Sequence, residues 1–90
     1  MITKPFTFSG HELEINYSTS AAGEIRFELQ DEKGLPIPGF TLEESQPVIG
    51  NEISRVVKWK EGSDLQSLVS KIVLLKVQMK DADLFSIRFR

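Results

Sequence analysis

Apolar residues occupy every second position over residues 13–17 and again over residues 25–29. This period of two is typical of β-strands that bury one face and expose the other to water. Between the two stretches lies Thr19-Ser20-Ala21-Ala22-Gly23, a run of small residues. We therefore predict two strands, over residues 11–18 and 23–30, that form an antiparallel hairpin.

The rest of the chain continues this alternation. Further strands are predicted over residues 5–9, 52–60 and 71–80, and a last strand over residues 85–89. Prolines and glycine make residues 35–50 an irregular or edge-like segment, in which residues 40–43 are a candidate short strand. Asp81-Ala82-Asp83 is predicted as the turn between the last two strands, because aspartate favours turns. Glu61-Gly62-Ser63-Asp64 is predicted as another turn, in which Ser63 or Asp64 caps one turn of helix over residues 65–68.

These elements predict a single all-β domain over residues 1–90, with about six to eight short strands in an antiparallel β-sandwich, jelly-roll-like or immunoglobulin-like. The predicted core consists of the apolar residues on the inward face of each strand. They are Phe6, Phe8, Leu13, Ile15, Tyr17, Ile25, Phe27, Leu29, Ile53, Val57, Trp59, Val73, Leu75, Val77, Phe85, Ile87 and Phe89.

Composition narrows the classes of function. The chain has 90 residues, a formal net charge of −2 and no cysteine. No block of Lys and Arg stands apart from acidic residues, so we expect no nucleic-acid partner. No apolar run reaches the ~20 residues that cross a bilayer, so we expect no membrane span. Residues 1–10 do not have the pattern of a signal peptide, and the sequence leaves the compartment open.

Candidate catalytic chemistry is sparse. The only histidine, His11, lies in a polar stretch at a strand start and is predicted to be solvated. No nucleophile motif or phosphate-binding glycine loop occurs. The carboxylates that could form a catalytic pair all lie in predicted loops or turns, where acidic residues are common. They are Glu43, Glu44, Asp64, Asp81 and Asp83. We therefore predict that this chain is not an enzyme.

Two weaker binding hypotheses remain. Asp81 and Asp83 could offer oxygen ligands to a structural Ca²⁺, although a tight turn at Asp81 explains the same residues, and we predict no cofactor. Phe40, which follows Pro38 and Gly39, and Trp59 are the candidate aromatic residues for a carbohydrate-binding face. The alternative for Trp59 is core packing, because it lies on the inward side of its predicted strand.

The chain resembles the carboxy-terminal β-sandwich region of bacterial glycoside-hydrolase-like or sialidase-like β-propeller proteins. The resemblance is carried, in order along the chain, by LEINYSTSAAG (13–23), PIPGF (36–40), VKWKEGSDL (57–65) and KDADLFSIRF (80–89). It implies that the catalytic residues belong to a propeller absent here, and that the parent protein is exported. It further implies a non-catalytic accessory module, a fragment or stand-alone copy of the larger protein's last domain. A carbohydrate-binding module is the alternative.

The resemblance also bears on partners. In the proteins that this chain resembles, another strand-like stretch precedes the equivalent of Thr3-Lys4-Pro5. Removing a strand exposes a sheet edge or an apolar patch, and both favour pairing with another chain. We therefore expect a homodimer, or a complex with a protein partner, formed through an exposed sheet edge. A saccharide is the other candidate ligand.

Overall fold

A computed structural model describes residues 2–60, 62 and 64–90, and for residues 51–53 the backbone alone. Three strands, β1 (Leu13–Asp31), β2 (Asn51–Val56) and β3 (Val73–Phe89), form one antiparallel sheet in the order β2-β1-β3. The protein is all-β, as predicted. The predicted sandwich of six to eight strands is wrong, because the described residues form a single small sheet of three strands.

The two predicted hairpins account for most of this difference. Strand β1 runs through both strands predicted over residues 11–30, and β3 runs through both predicted over residues 71–89. The two predicted turns instead face each other across the ladder, because Thr19 pairs with Ala82 and Glu24 pairs with Lys80. Asp81, with a φ of 47°, is the one residue that faces residues 20–23. Residue types that favour turns here accommodate an irregularity within continuous strands.

The short strands predicted before β1 and after it do not form as strands. Residues 5–9 contribute one bridge, from Phe6 to Val73, and residues 40–43 contribute none. Strand β2 ends at Val56, and Trp59 lies beyond it in an isolated bridge to Ser45. These segments still cover one face of the sheet, so the core forms without a second sheet.

Loop residues and side chains complete the second half of β1 on the side away from β3. Ile25 exchanges backbone hydrogen bonds of 3.0 and 2.9 Å with Val48. The N–H of Phe27 donates to Ser45 Oγ at 3.1 Å, and its carbonyl accepts the indole N–H of Trp59 at 3.0 Å. Side chains therefore supply the partners that a neighbouring strand would otherwise give to the backbone of Phe27.

The core lies between the inner face of β1 and β3 and the segments that cross it. Val48, Leu65 and Leu68 belong to it although they were not predicted. Most of the predicted core residues are buried. They are Phe8, Leu13, Ile15, Tyr17, Ile25, Phe27, Leu29, Val57, Trp59, Val73, Leu75 and Val77. Phe6, Ile87 and Phe89 are half-buried, Phe85 is exposed, and the side chain of Ile53 lies outside the described residues.

The predicted helical turn is present as a 3-10 helix, Gln66–Leu68, and Leu68 is buried. The N-cap residue of this turn is Leu65, and no side-chain hydrogen bond caps it. The carboxylate of Asp64 accepts the N–H of Gln66 at 2.9 Å, one residue further along. Ser63, the other predicted cap, and Glu61 in the predicted turn lie outside the described residues.

Candidate interaction surface

The C-terminal half of β3 carries apolar side chains that the fold leaves uncovered. Alternate residues are buried up to Val77, whereas none of residues 78–89 is buried. Met79 is 43% exposed and Phe85 is 63% exposed. Large apolar side chains on a strand are ordinarily covered by another element, so this half of β3 lacks a neighbour that the first half has.

A bulge in β3 places Phe85 outside the ladder. Leu84 pairs with Tyr17 and Ser86 pairs with Asn16, so Phe85 is an extra residue without a partner on β1. Residues on both sides of the bulge surround an open, mainly apolar depression of about 320 Å³. These residues are Met79, Leu84, Phe85, Ser86 and Ile87.

The outer edge of β3 is covered over its first residues only. Thr3 donates its N–H to the carbonyl of Leu75 at 2.9 Å, and Phe6 exchanges backbone hydrogen bonds of 3.0 and 2.9 Å with Val73. From residue 78 to residue 89, no described segment pairs with the side of β3 that faces away from β1. We call residues 78–89, with the depression beside them, the open edge.

Charged side chains flank the open edge on the polar face of the sheet. The buried carboxylate of Glu14 lies 3.2 Å from Nε of Arg88 and also pairs with Arg90. The hydrogen bond from Arg90 and the charges of both arginines hold the pKa of the Glu14 carboxyl below its usual range, despite its burial. Both arginine side chains are more than half exposed, so their remaining N–H groups can donate hydrogen bonds to further partners.

A second depression, of about 640 Å³, lies over the polar face of β1 and is lined by Glu24, Arg26 and Glu43 among others. Glu24 forms an ion pair with Arg26 at 3.5 Å. The buried Glu28 accepts the N–H of Leu42 at 3.2 Å and the side-chain amide of Gln30 at 2.8 Å. Glu28 therefore fastens the loop after β1, and these contacts occupy both of its oxygen atoms.

The two aromatic residues predicted for carbohydrate binding lie together. Trp59 is 1% exposed, so its ring presents no platform to a ligand. Phe40 is half-buried and packs edge-on against Trp59, with ring centroids 5.4 Å apart. It lines a third depression, of about 330 Å³, beside Asp64 and Ser67.

The other predicted site residues stay separate. His11 is exposed, and its Nδ1 lies 4.0 Å from Oδ1 of Asp64. Asp81 and Asp83 are both exposed on β3, at the irregularity and beyond it. Within the described part of the chain, no three His, Cys, Asp or Glu side chains are grouped so that they could hold a metal ion.

Comparisons with family models, with curated proteins and with solved structures give no match to this chain. None of the described residues belongs to a helix that is long and apolar enough to cross a bilayer. The function of this chain is therefore inferred from its own geometry and from the resemblance in its sequence.

Alternation alone did not predict the open edge, because it assigns Phe85, Ile87 and Phe89 to one buried face. The adjacent apolar pair Leu84 and Phe85 indicates the bulge, but not the open edge beside it. In a regular strand, two adjacent side chains point to opposite faces, so both cannot be buried on one face. A bulge at Phe85 lets Leu84 share the core-facing side with Ile87 and Phe89.

Proposed function

We propose that this chain is a non-catalytic interaction module that binds another polypeptide at its open edge. One observation carries the proposal: residues 78–89 combine an unpaired strand edge with exposed apolar side chains. Each feature alone is common on protein surfaces, but together they provide both kinds of contact that an added β-strand forms. Such a strand would form main-chain hydrogen bonds with β3 and cover its apolar side chains.

The depression at the bulge supports this mode of binding. In strand addition, main-chain hydrogen bonds provide affinity, and pockets for alternate side chains provide specificity. The depression beside Phe85 would accept one apolar side chain of the partner. Native edge strands are commonly protected by charges or by covering segments. Charged residues lie near Met79 and Phe85, but no described segment covers these two side chains.

An accessory role beside a glycoside-hydrolase-like protein is part of the proposal, and the sequence resemblance alone supports it. In that setting the open edge would attach the module to the larger protein or orient it. In that setting the catalytic residues would belong to the partner, as the resemblance implies.

Site-specific photo-crosslinking tests the proposal. A photoreactive amino acid replaces Phe85 in one protein and Leu35, which is 59% exposed in a loop, in the matched control. Each is irradiated alone and in an extract of the source organism. We expect a discrete adduct, to a second copy or to another protein, at position 85 alone. We expect Ile87→Pro, which removes a backbone N–H that points away from β1, to abolish it. Equal labelling at both positions, or none, would overturn the proposal.

The alternative, a carbohydrate-binding module, is favoured by the depression that Phe40 lines with Asp64 and Ser67. A half-buried aromatic ring beside a carboxylate and a hydroxyl offers one sugar ring an apolar contact and two hydrogen-bonding groups. Glycan-array binding that Phe40→Ala removes and Leu35→Ala retains would support this function. Equal signals from both variants, or no binding by the natural chain, would contradict it.

A further inference from the structure

The backbone of the open edge presents its hydrogen-bonding groups at defined residues. On the β2 side of β1, the carbonyl of Leu13 accepts the N–H of Val57 at 2.8 Å, and Thr19 donates to Gly50 at 2.9 Å. Residues opposite each other in an antiparallel pair alternate between hydrogen-bonded and non-hydrogen-bonded positions. Phe89, opposite Leu13, and Ala82, opposite Thr19, therefore direct their backbone groups away from β1.

The same alternation applies between these two ends. Ile87 lies opposite Ile15 and Leu84 opposite Tyr17, and both direct their backbone groups outward. Phe85 is the bulged residue, and Ser86 points its backbone groups toward β1. Leu84 and the bulged Phe85 together oppose one residue of β1, so they count as one position. On this count the outward residues lie symmetrically about Ser86, with Leu84 and Ile87 one position away and Ala82 and Phe89 three positions away.

This spacing makes the open edge complementary to itself. We infer that its partner is a second copy of this chain, whose β3 pairs antiparallel with Ser86 opposite Ser86. In that register Leu84 meets Ile87 of the other copy, and Ala82 meets Phe89. Each pair joins two outward-directed backbones and two half-buried apolar side chains, so hydrogen bonding and apolar burial agree in one alignment.

Charge complementarity selects this register over its neighbours. It sets Asp83 opposite Arg88 and Asp81 opposite Arg90, twice in each dimer. Within the described part of the chain neither aspartate is in an ion pair, and both arginines are more than half exposed. Moving the two-fold axis by one position breaks both pairs and forms a single other one, Asp83 with Arg90 or Asp81 with Arg88. The Ser86 register is therefore favoured on charge as well as on apolar contact.

The dimer would contain one continuous sheet in the order β2-β1-β3-β3-β1-β2. The two Phe85 side chains would lie beside the Leu84–Ile87 pairs, close to the two-fold axis. This inference rests on the proposed function and makes it specific, because the polypeptide that binds at the open edge is an identical chain.

A single cysteine tests the register. The natural chain has no cysteine. Ser86 would form a non-hydrogen-bonded pair with its symmetry mate, at a Cα–Cα distance of about 4.5 Å, which a disulfide can bridge. We expect Ser86→Cys to form a disulfide-linked dimer under mild oxidation. Lys80→Cys, on the same strand but several residues from the axis, should remain largely unlinked.

Sedimentation velocity over a range of concentrations tests the dimer itself. The natural chain should dimerise, and Asp83→Lys should weaken the dimer by about tenfold or more, since like charges replace two cross-strand pairs. Glu32→Lys makes the same change of charge in an exposed turn and should leave the dimer unchanged.

The outcomes separate this inference from the proposed function. A chain that stays monomeric at high concentration, or a dimer that Ser86→Cys does not link, overturns the inference. In that case, a specific photo-adduct from position 85 to a different protein would still support an interaction module. Loss of that adduct as well would overturn both proposals.

Discussion

The hydroxyl of Ser45 provides a sharp test of how the core is built. Ser45 is 3% exposed, and its Oγ is the acceptor for the N–H of Phe27 in the middle of β1. Ser45→Ala removes one oxygen atom and leaves that N–H buried without this partner. A buried donor that loses its acceptor costs about 1–3 kcal/mol. The free energy of unfolding of a domain of this size is roughly 5–13 kcal/mol, so the loss is measurable.

Urea unfolding followed by fluorescence measures the effect, because Trp59 is the only tryptophan and is buried beside this hydrogen bond. With a slope of roughly 1–2 kcal/mol per molar urea, a loss of about 2 kcal/mol lowers the midpoint by about 1–2 M. Ser9→Ala removes a hydroxyl from an exposed serine and serves as the matched control. All variants are compared at one protein concentration, since self-association makes stability depend on concentration.

An unfolding free energy of Ser45→Ala within about 0.5 kcal/mol of that of Ser9→Ala, with an unchanged slope, would contradict this expectation. That result would mean that the N–H of Phe27 is satisfied in some other way. The proposed replacement of a neighbouring strand by Ser45 and Trp59 would then be incorrect.

Two further changes test other parts of the sheet. Gly23→Ala should destabilise the protein by about 1–3 kcal/mol in the same urea assay, since its Cβ would lie 2.3 Å from the carbonyl oxygen of Asp81; an unchanged midpoint would contradict the close approach. The pKa of Glu14 is lowered from 4.5, so its ionised form stabilises the fold above that pH, and this contribution is lost as the pH falls below it. The natural chain should therefore be more stable than Glu14→Gln at pH 7, with a smaller difference at roughly pH 3, whereas a constant difference would contradict the ion pairs with Arg88 and Arg90.

The period-two pattern correctly predicted which residues of β1 face the core. The alternating apolar residues from Leu13 to Leu29 are all buried. The pattern could not predict connectivity, because the small residues at Thr19–Gly23 suit a hairpin as well as an irregularity in a long strand. The choice depends on Asp81, which is distant in sequence and adjacent in space.

Exposure in the C-terminal half of β3 was less predictable for a related reason. The alternation of Ile87 and Phe89 indicates an inward face, and both do pack against the core as half-buried residues. Whether that face is fully covered depends on a neighbouring segment, which local sequence does not specify. The bulge at Phe85 had a local signal in the adjacent apolar residues Leu84 and Phe85, whereas the open edge beside it had none.

The two sides of the sheet show why the open edge matters. Along the second half of β1, irregular segments complete the backbone through Val48, Ser45 and Trp59. Along β3, the segment that includes Thr3 and Phe6 completes only the first residues. Loops and side chains therefore complete the edge of the second half of β1, whereas apolar side chains stay uncovered along residues 78–89 of β3. Covering those side chains with another chain would add apolar burial, which is the physical basis of the association proposed at residues 78–89.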